Sequence, residues 1–440
     1  AAGLNLKTGA LNLKDFITHV FPKSIVEAMS GNEILQILVF AVFFGLILIG
    51  VPVAVSIGLS ALATLLVNDF PIIVVAQKMV TGIDSFTFVA IPLFILAGEL
   101  MNVGQITDRI FNFAKAAVGW IPGGLAHANI LASVIFSGMS GSAIADAGGL
   151  GTVEMKAMRE AGYDDYFSGA VTAASSTIGP IFPPSIPMVI YGGIASVSIG
   201  KLFIGGVIPG LLMAVALMIY ALVISIRRGY PKEVFSLRLI WREFIRAFIP
   251  LMTPVIILSG FVTGWFTPTE ASAIAVVYAL IVGGLVYRAM GLRSIIKALE
   301  NTAATTANVV FIIGTATLFS FILTNLGITK TIASFILGIS TTPWVVLVII
   351  NVVLLILGMI MEPGAILIMM LPVFLPIVNQ LGIDLVHFGV VMVLNLMIGL
   401  TTPPVGVCLF VCANIAKEPL WEVIKAIFPF LIGNLVVLLM

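Results

Sequence analysis

The chain is poor in charge: only 9% of its 440 residues are Asp, Glu, Lys or Arg, against roughly a quarter in ordinary soluble domains. That deficit excludes a water-soluble globule. Cysteine is nearly missing, with Cys408 and Cys412 the whole supply. Four residues apart on one apolar segment, they suit packing on a helix face, because such a pair is badly set for a disulfide and no cluster of His or carboxylate accompanies it to hold a metal. Histidine is scarce as well, and His127 and His387, each beside a turn, read as capping or packing groups rather than proton relays. The net charge is only +1, and the basic residues are not interleaved with aromatics, which excludes nucleic acid as a partner. The first thirty residues lack a basic stretch followed at once by an apolar core, so no cleavable signal peptide is expected.

What fills the chain is apolar, 60% of it hydrophobic. Long apolar runs lie at 36–64, 86–101, 203–226, 249–265, 270–287, 305–326, 343–361 and 425–440. At about 20 residues per crossing, they and their neighbours predict about ten to twelve passages through a lipid bilayer, re-entrant pieces included. Arg227, Arg228, Lys232, Arg238, Arg242 and Arg246 occupy one connection, and Arg288, Arg293 and Lys297 the next. Positive loops stay on the cytoplasmic side, so 248–287 should leave and return as two helices joined near Thr267-Pro268.

Two stretches share one grammar at an offset of 220 residues: Gly138-Met139 matches Gly358-Met359, and Gly179 with Pro183-Pro184 matches Gly399 with Pro403-Pro404. The connectors after Gly104 and Gly327 repeat as well. A duplication is the economical reading, and paired Gly/Pro interruptions in apolar segments mark the broken helices of secondary transporters. The expected order is a leader at 1–34, an interfacial amphipathic helix broken at Pro22, then one repeat at 35–247 and an inverted second at 248–440. Each repeat carries a hairpin (125–160, 343–378) and an interrupted helix (166–195, 387–413). Lys156 to Asp165 read as a solvated loop.

The polar residues collect at the interruptions. Ser137 to Ser142, with Asp146 beyond, are too small and polar to face lipid, and a re-entrant hairpin tip there needs a partner for its oxygens. Pro180, Pro183 and Pro184 must break the next helix, and the freed carbonyls with Ser and Thr hydroxyls form a neutral oxygen cage suited to Na⁺. The second copy offers Gly358 to Gly364 and Asn395 to Pro404, with Asn395 in the place of Ser175 and Thr402 in that of Phe182. A second cation site follows by pseudo-symmetry. Half-helix N-termini at the breaks favour an anion between the sites, so a carboxylate substrate fits. Ser142, Asp146, Ser176, Ser185, Glu362 and Asn395 are the candidates to line it, Glu362 and Asp146 because an intramembrane carboxyl is a functional candidate by default.

Residues from about 40 to 440 resemble the large membrane subunit of a tripartite ATP-independent periplasmic (TRAP) transporter. The likeness rests on Ala90-Ile91-Pro92-Leu93-Phe94-Ile95-Leu96-Ala97-Gly98, Ser137 to Asp146, Gly179 to Ser185, Gly358-Met359, and His387-Phe388-Gly389 through Asn395 to Thr401-Thr402-Pro403-Pro404-Val405-Gly406. It implies an all-α polytopic protein of the inverted-repeat elevator type in a bacterial inner membrane. The implied activity is sodium-driven import of a carboxylate, a sialic acid or a C4-dicarboxylate. The implied partners are a small four-helix membrane subunit and a soluble periplasmic binding protein, with Na⁺ as coupling ion and no cofactor. It further implies one sodium at Ser137, Ser140, Gly179, Phe182 and Pro183, and another at Gly358, Gly399, Thr402 and Pro403, with Phe182 and the prolines acting through carbonyls. Residues 11–45 instead resemble a segment of the dicarboxylate/amino acid:cation symporters, whose later motifs are missing here.

Two other readings compete. A stand-alone sodium:dicarboxylate symporter of similar architecture would need no binding protein. An intramembrane serine protease would use Ser140 of Gly138-Met139-Ser140-Gly141, but the only downstream histidine is His387 and the second copy has Ile360 at the matching point. No enzyme activity is expected.

Overall fold

Backbone inside lipid must satisfy its own N–H and C=O groups, and apolar runs of this length do so as helices. The computed structural model describes residues 33–440, with side chains from Leu38 onward, and no strand occurs among the described residues. The leader expected at 1–34 and most of the segment 11–45 lie outside them. Among the described residues, seven helices are long and apolar enough to cross a membrane: Phe86–Val103, Ile199–Arg228, Leu237–Thr263, Pro268–Val286, Leu292–Asn325, Pro363–Gln380 and Leu420–Leu439. Shorter apolar helices of 10–17 residues make up much of the remainder.

One expected span is not a single helix. The run 36–64 divides into Glu33–Leu48 and Val53–Val67. Gly50 between them turns left-handed at φ +86°, and Pro52 has no N–H to continue the first helix. Another expectation was too short. The run 305–326 is the end of a helix that begins at Leu292, because nothing between Arg293 and Asn308 breaks it.

The described chain forms two compact units, each drawing on both halves of the sequence. The first comprises residues through Asp84, Val309–Val353 and Gly364–Leu385. Its aromatic core sets Phe43 against Phe319 with ring centres 5.8 Å apart, and Lys78 lies 4.5 Å over the Phe321 ring.

The second unit comprises Ser85–Asn308, Leu354–Pro363 and Val386–Met440. It is built around the helix Asp165–Ser176, which packs on Gly124–Ser140, Val407–Ala416 and Leu420–Leu439. Every residue from Phe167 to Ser176 is buried. Gly169, Ala170, Ala173 and Ala174 explain how one helix can touch three, since small side chains let backbones approach. The expected turn at Thr267-Pro268 is present as a capping box: the Thr267 hydroxyl accepts from the Glu270 N–H at 3.3 Å, and the Glu270 carboxylate accepts from the Thr267 N–H at 2.8 Å.

The stretch expected as a solvated loop is largely helical. Gly151–Glu160 is a helix, and Arg159 at its end pairs with Asp165 at 2.7 Å and donates to the Ala416 carbonyl at 2.8 Å. A guanidinium can serve both acceptors because its donors diverge. That one side chain joins the first hairpin, the first broken helix and the second broken helix.

Candidate functional site

Both predicted helix breaks are present. The first interrupted helix runs as Asp165–Ser176 and Ile186–Ala195, the second as Leu385–Gly399 and Val407–Ala416. The peptide bonds Pro183-Pro184 and Pro403-Pro404, 220 residues apart, are both cis.

The first hairpin arm, Gly124–Ser140, stops because Gly141 takes the left-handed conformation at φ +60°. A side chain on Gly141 would meet the Pro184 carbonyl at 2.6 Å, so only glycine allows the tip to reach the break. The Gly141 carbonyl accepts from the Ile186 N–H at 3.5 Å. Ser142 then caps the short turn that follows, accepting from the Ala145 N–H at 3.4 Å. The hydroxyls here are not equivalent. Ser137 donates to the Val134 carbonyl at 2.6 Å. Ser140, 2% exposed, has a buried hydroxyl with no hydrogen-bond partner. In the break that this tip reaches, no backbone N–H among the described residues donates to the carbonyls of Gly179, Phe182 or Pro183. A buried hydroxyl without a partner is costly unless something else coordinates it, and a hard cation does so.

At the second break the backbones themselves touch. A side chain on Gly399 would stand 2.8 Å from the Gly358 Cα, a separation that no substituted residue tolerates. The Met359 carbonyl accepts from the Val405 N–H at 3.3 Å, which pins the second hairpin tip to its break. Thr401 and Thr402 both donate to the Ile398 carbonyl, at 3.0 and 2.7 Å. Thr402 is the more exposed of the two, and its oxygen keeps lone pairs to accept a cation. No backbone N–H among the described residues donates to the carbonyls of Thr402 or Pro403.

The candidate substrate residues fare differently from one another. Ser185 is committed twice, donating to the Pro180 carbonyl and accepting from the Met188 N–H at 3.1 Å as a helix cap. Ser176 donates to the Ala173 carbonyl at 2.9 Å and neighbours Cys408. Asn395 is buried in the second broken helix, and Glu362 is half-buried at the second hairpin tip. Asp146 is buried beside Glu154, Cys408 and Cys412. Both cysteines are free and buried on the helix Val407–Ala416, as expected for packing groups. His127 is buried in the first hairpin arm.

Sequence reasoning missed Asn129, Thr172 and Glu154. Asn129 donates to the Thr172 hydroxyl at 2.7 Å, and Ser175 donates to the Asn129 carbonyl oxygen at 2.7 Å, a buried polar seam between hairpin and broken helix. Glu154 was hidden in a polar stretch, yet Gly151, Glu154, Met155 and Met158 follow helical spacing and are all buried. That periodicity was the available signal.

Outside the spans, Asp164 gathers partners at the foot of the first broken helix. The Tyr230 hydroxyl donates to its Oδ2 at 2.6 Å, Tyr166 donates at 3.1 Å and Arg228 at 2.9 Å. The Tyr230 hydrogen bond, with Tyr166 and Arg228, holds the Asp164 carboxyl below its usual range. Burial, with the neighbouring carboxylate, pushes the Tyr230 phenol up to about 12.

Comparison with known proteins gives the family. The model of the tripartite ATP-independent periplasmic transporter DctM component matches residues 40–440. The sialic acid TRAP transporter large permease protein SiaM of Vibrio cholerae is 46% identical over 400 residues, covering 90% of this chain and 93% of that protein. The sialic acid TRAP transporter permease protein SiaT of Haemophilus influenzae is 42% identical, covering 94% and 67%. The C4-dicarboxylate TRAP transporter large permease protein DctM of Pseudomonas aeruginosa is 40% identical, covering 87% and 90%. Among solved structures, the YdaH transporter of Alcanivorax borkumensis shares the fold at a TM-score of 0.59 and 15% identity, covering 83% of this chain and 85% of that one. A transport family accounts for the duplicated breaks as a catalytic serine does not, and with the match running from residue 40 to the last residue the chain belongs to the large membrane subunits of the TRAP transporters.

Proposed function

We propose that this protein is the transport subunit of a sodium-driven importer of a carboxylate, resident in a bacterial inner membrane. It works with a small membrane subunit and a periplasmic binding protein. The observation that carries this reading is the orphaned, buried Ser140 hydroxyl at a hairpin tip that Gly141 brings against the Pro184 carbonyl, together with the donor-free carbonyls of Gly179, Phe182 and Pro183 in that same break. Together with Ser137 they offer oxygen without charge, which suits an alkali cation better than a divalent one. Gly358, Gly399, Thr402 and Pro403 offer a second such set. A substrate carboxylate held between the breaks meets Ser142 and Asn395, and gains from the helix N-termini of Ile186–Ala195 and Val407–Ala416. The Ser176 and Ser185 hydroxyls already donate to the Ala173 and Pro180 carbonyls, and a Glu362 carboxylate would repel the substrate. A sialic acid is the first substrate to test, since two of the relatives above carry that name.

The two hairpin units cannot open to both sides of the membrane at once, so transport proceeds by their movement past the remaining helices. Uptake into proteoliposomes tests the whole reading. Sialic acid should accumulate only when a sodium gradient, the small subunit and the loaded binding protein are all supplied. Accumulation with sodium alone would make the protein a stand-alone symporter, and accumulation without sodium would remove both cation sites.

A further inference from the structure

The first hairpin buries two carboxyl groups that the sodium sites leave unused. Asp146 opens the π-helical segment Asp146–Leu150 and is 1% exposed, while Glu154, on the helix that continues it, is 0% exposed. All four carboxyl oxygens lack a hydrogen-bond partner among the described residues. The two groups are within electrostatic reach of each other.

No ion pair among the described residues includes either group. Their titratable neighbours are the thiols of Cys408 and Cys412 on Val407–Ala416. Of the charged groups on the packed helices, Lys115 pairs with Glu233 and Arg159 with Asp165, Asp108 is itself acidic, and Lys156 is exposed. Arg109 lies on the Tyr287 ring with its Nε unbonded and makes no ion pair with either carboxyl. His127, near the start of its own helix, neighbours Pro122.

Two like charges without a counter-charge are not sustained in a membrane interior, so a cation must be present with them. Its identity follows from the surroundings. A sodium ion needs several hard oxygen ligands, whereas soft thiols flank this pair on the helix Val407–Ala416. A hydrogen ion needs one oxygen to bond and another to stabilise it. A polar seam also leads to the site: Ser133 neighbours Asp146 and donates to the Ser175 hydroxyl at 3.2 Å, and Ser175 continues to Asn129 and Thr172.

We propose that Asp146 and Glu154 form a proton-binding site in the first hairpin, whose ligand is a hydrogen ion held by the pair and carried with the hairpin. Binding makes one carboxyl O–H bond as an O–H bond of a hydronium ion breaks and leaves water, release returns the proton to water, and no electrons change hands. The carrying step rests on the transport reading above; the binding step does not.

Two measurements test the two steps. Infrared spectroscopy of the purified complex should show a protonated carboxyl band near neutral pH that shifts in D₂O. Asp146→Asn and Glu154→Gln should each weaken it, and the double variant should lose it. No such band in the wild type, or an unchanged band in variants that melt like the wild type, overturns the site. In proteoliposomes with a trapped pH dye, wild-type sialic acid uptake should acidify the lumen, and Glu154→Gln should lose the protons moved per substrate. Uptake with no lumenal pH change in the wild type overturns the carrying step. If sodium drives no uptake at all, the transport reading fails while the infrared result still decides whether a proton is bound.

Discussion

Ser140 and Ser137 lie one helical turn apart, yet their hydroxyls do unequal things. Ser137 satisfies itself on the Val134 carbonyl, while Ser140 is buried with nothing to bond. If both lend oxygen to a sodium, loss of Ser140 should cost more. We expect Ser140→Ala to raise the sodium concentration for half-maximal uptake several-fold, from about 1 kcal/mol of lost coordination, and Ser137→Ala to raise it less. Sodium titrations of uptake decide the order, and equal or absent effects would remove Ser140 from the site. Gly399 sets a different kind of limit. With Gly358 Cα only 2.8 Å from where its side chain would begin, Gly399→Ala must push the second hairpin tip from its break. Overpacking of this sort costs about 1–3 kcal/mol. Thermal unfolding should fall accordingly and transport should fail, whereas Gly148→Ala, with open space around it, should melt like the wild type.

The elements are held at their feet by the cluster around Asp164, which joins the start of the first broken helix to the end of Ile199–Arg228. Because the Asp164 carboxyl titrates below its unfolded value, its contribution is present above about pH 4 and is lost as pH falls through the folded value. Tyr230→Phe removes the largest cause of that shift. The melting temperature of the variant should therefore lie below the wild type at neutral pH, with the gap closing as pH is lowered through the carboxylate range. A gap that stays constant would mean the hydroxyl acts otherwise than on the Asp164 charge, since Phe keeps the ring stacked on Tyr163 at 4.4 Å. At this same scale the sequence is readable where chemistry forbids a helix. Pro180, Pro183 and Pro184 announce the first break, and the repeat announces the second. Gly50 and Pro52 did not stand out because the run around them is apolar on both sides. Asp146 stands out as an intramembrane carboxyl and Glu154 only through the helical spacing of its buried neighbours, whereas the flanking Cys408 and Cys412 come from more than 250 residues away and only folding brings them in.

At the scale of the whole molecule, the duplicated hairpins and breaks are legible as an offset, and the family follows from them. A motion does not follow in the same way, because a sequence pattern carries no second conformation. Each hairpin tip nonetheless exposes a residue beside its buried polar oxygens: Ile144 is 43% exposed and Ile360 42%. Both native cysteines are fully buried and should resist a polar maleimide, so single cysteines at these tips report alone. In an alternating-access cycle a tip open to one aqueous side is closed to the other. Sodium and substrate shift the population between those states only by binding them unequally. Ile144→Cys and Ile360→Cys, in the complex with its small subunit and in sealed vesicles of known orientation, should therefore change their labelling rates from the two faces in opposite senses when sodium, sialic acid and the binding protein are added. If one movement serves both sites, both positions should respond together. Labelling that ignores the ligands while uptake continues would exclude moving hairpins and leave a fixed site with rocking helices around it.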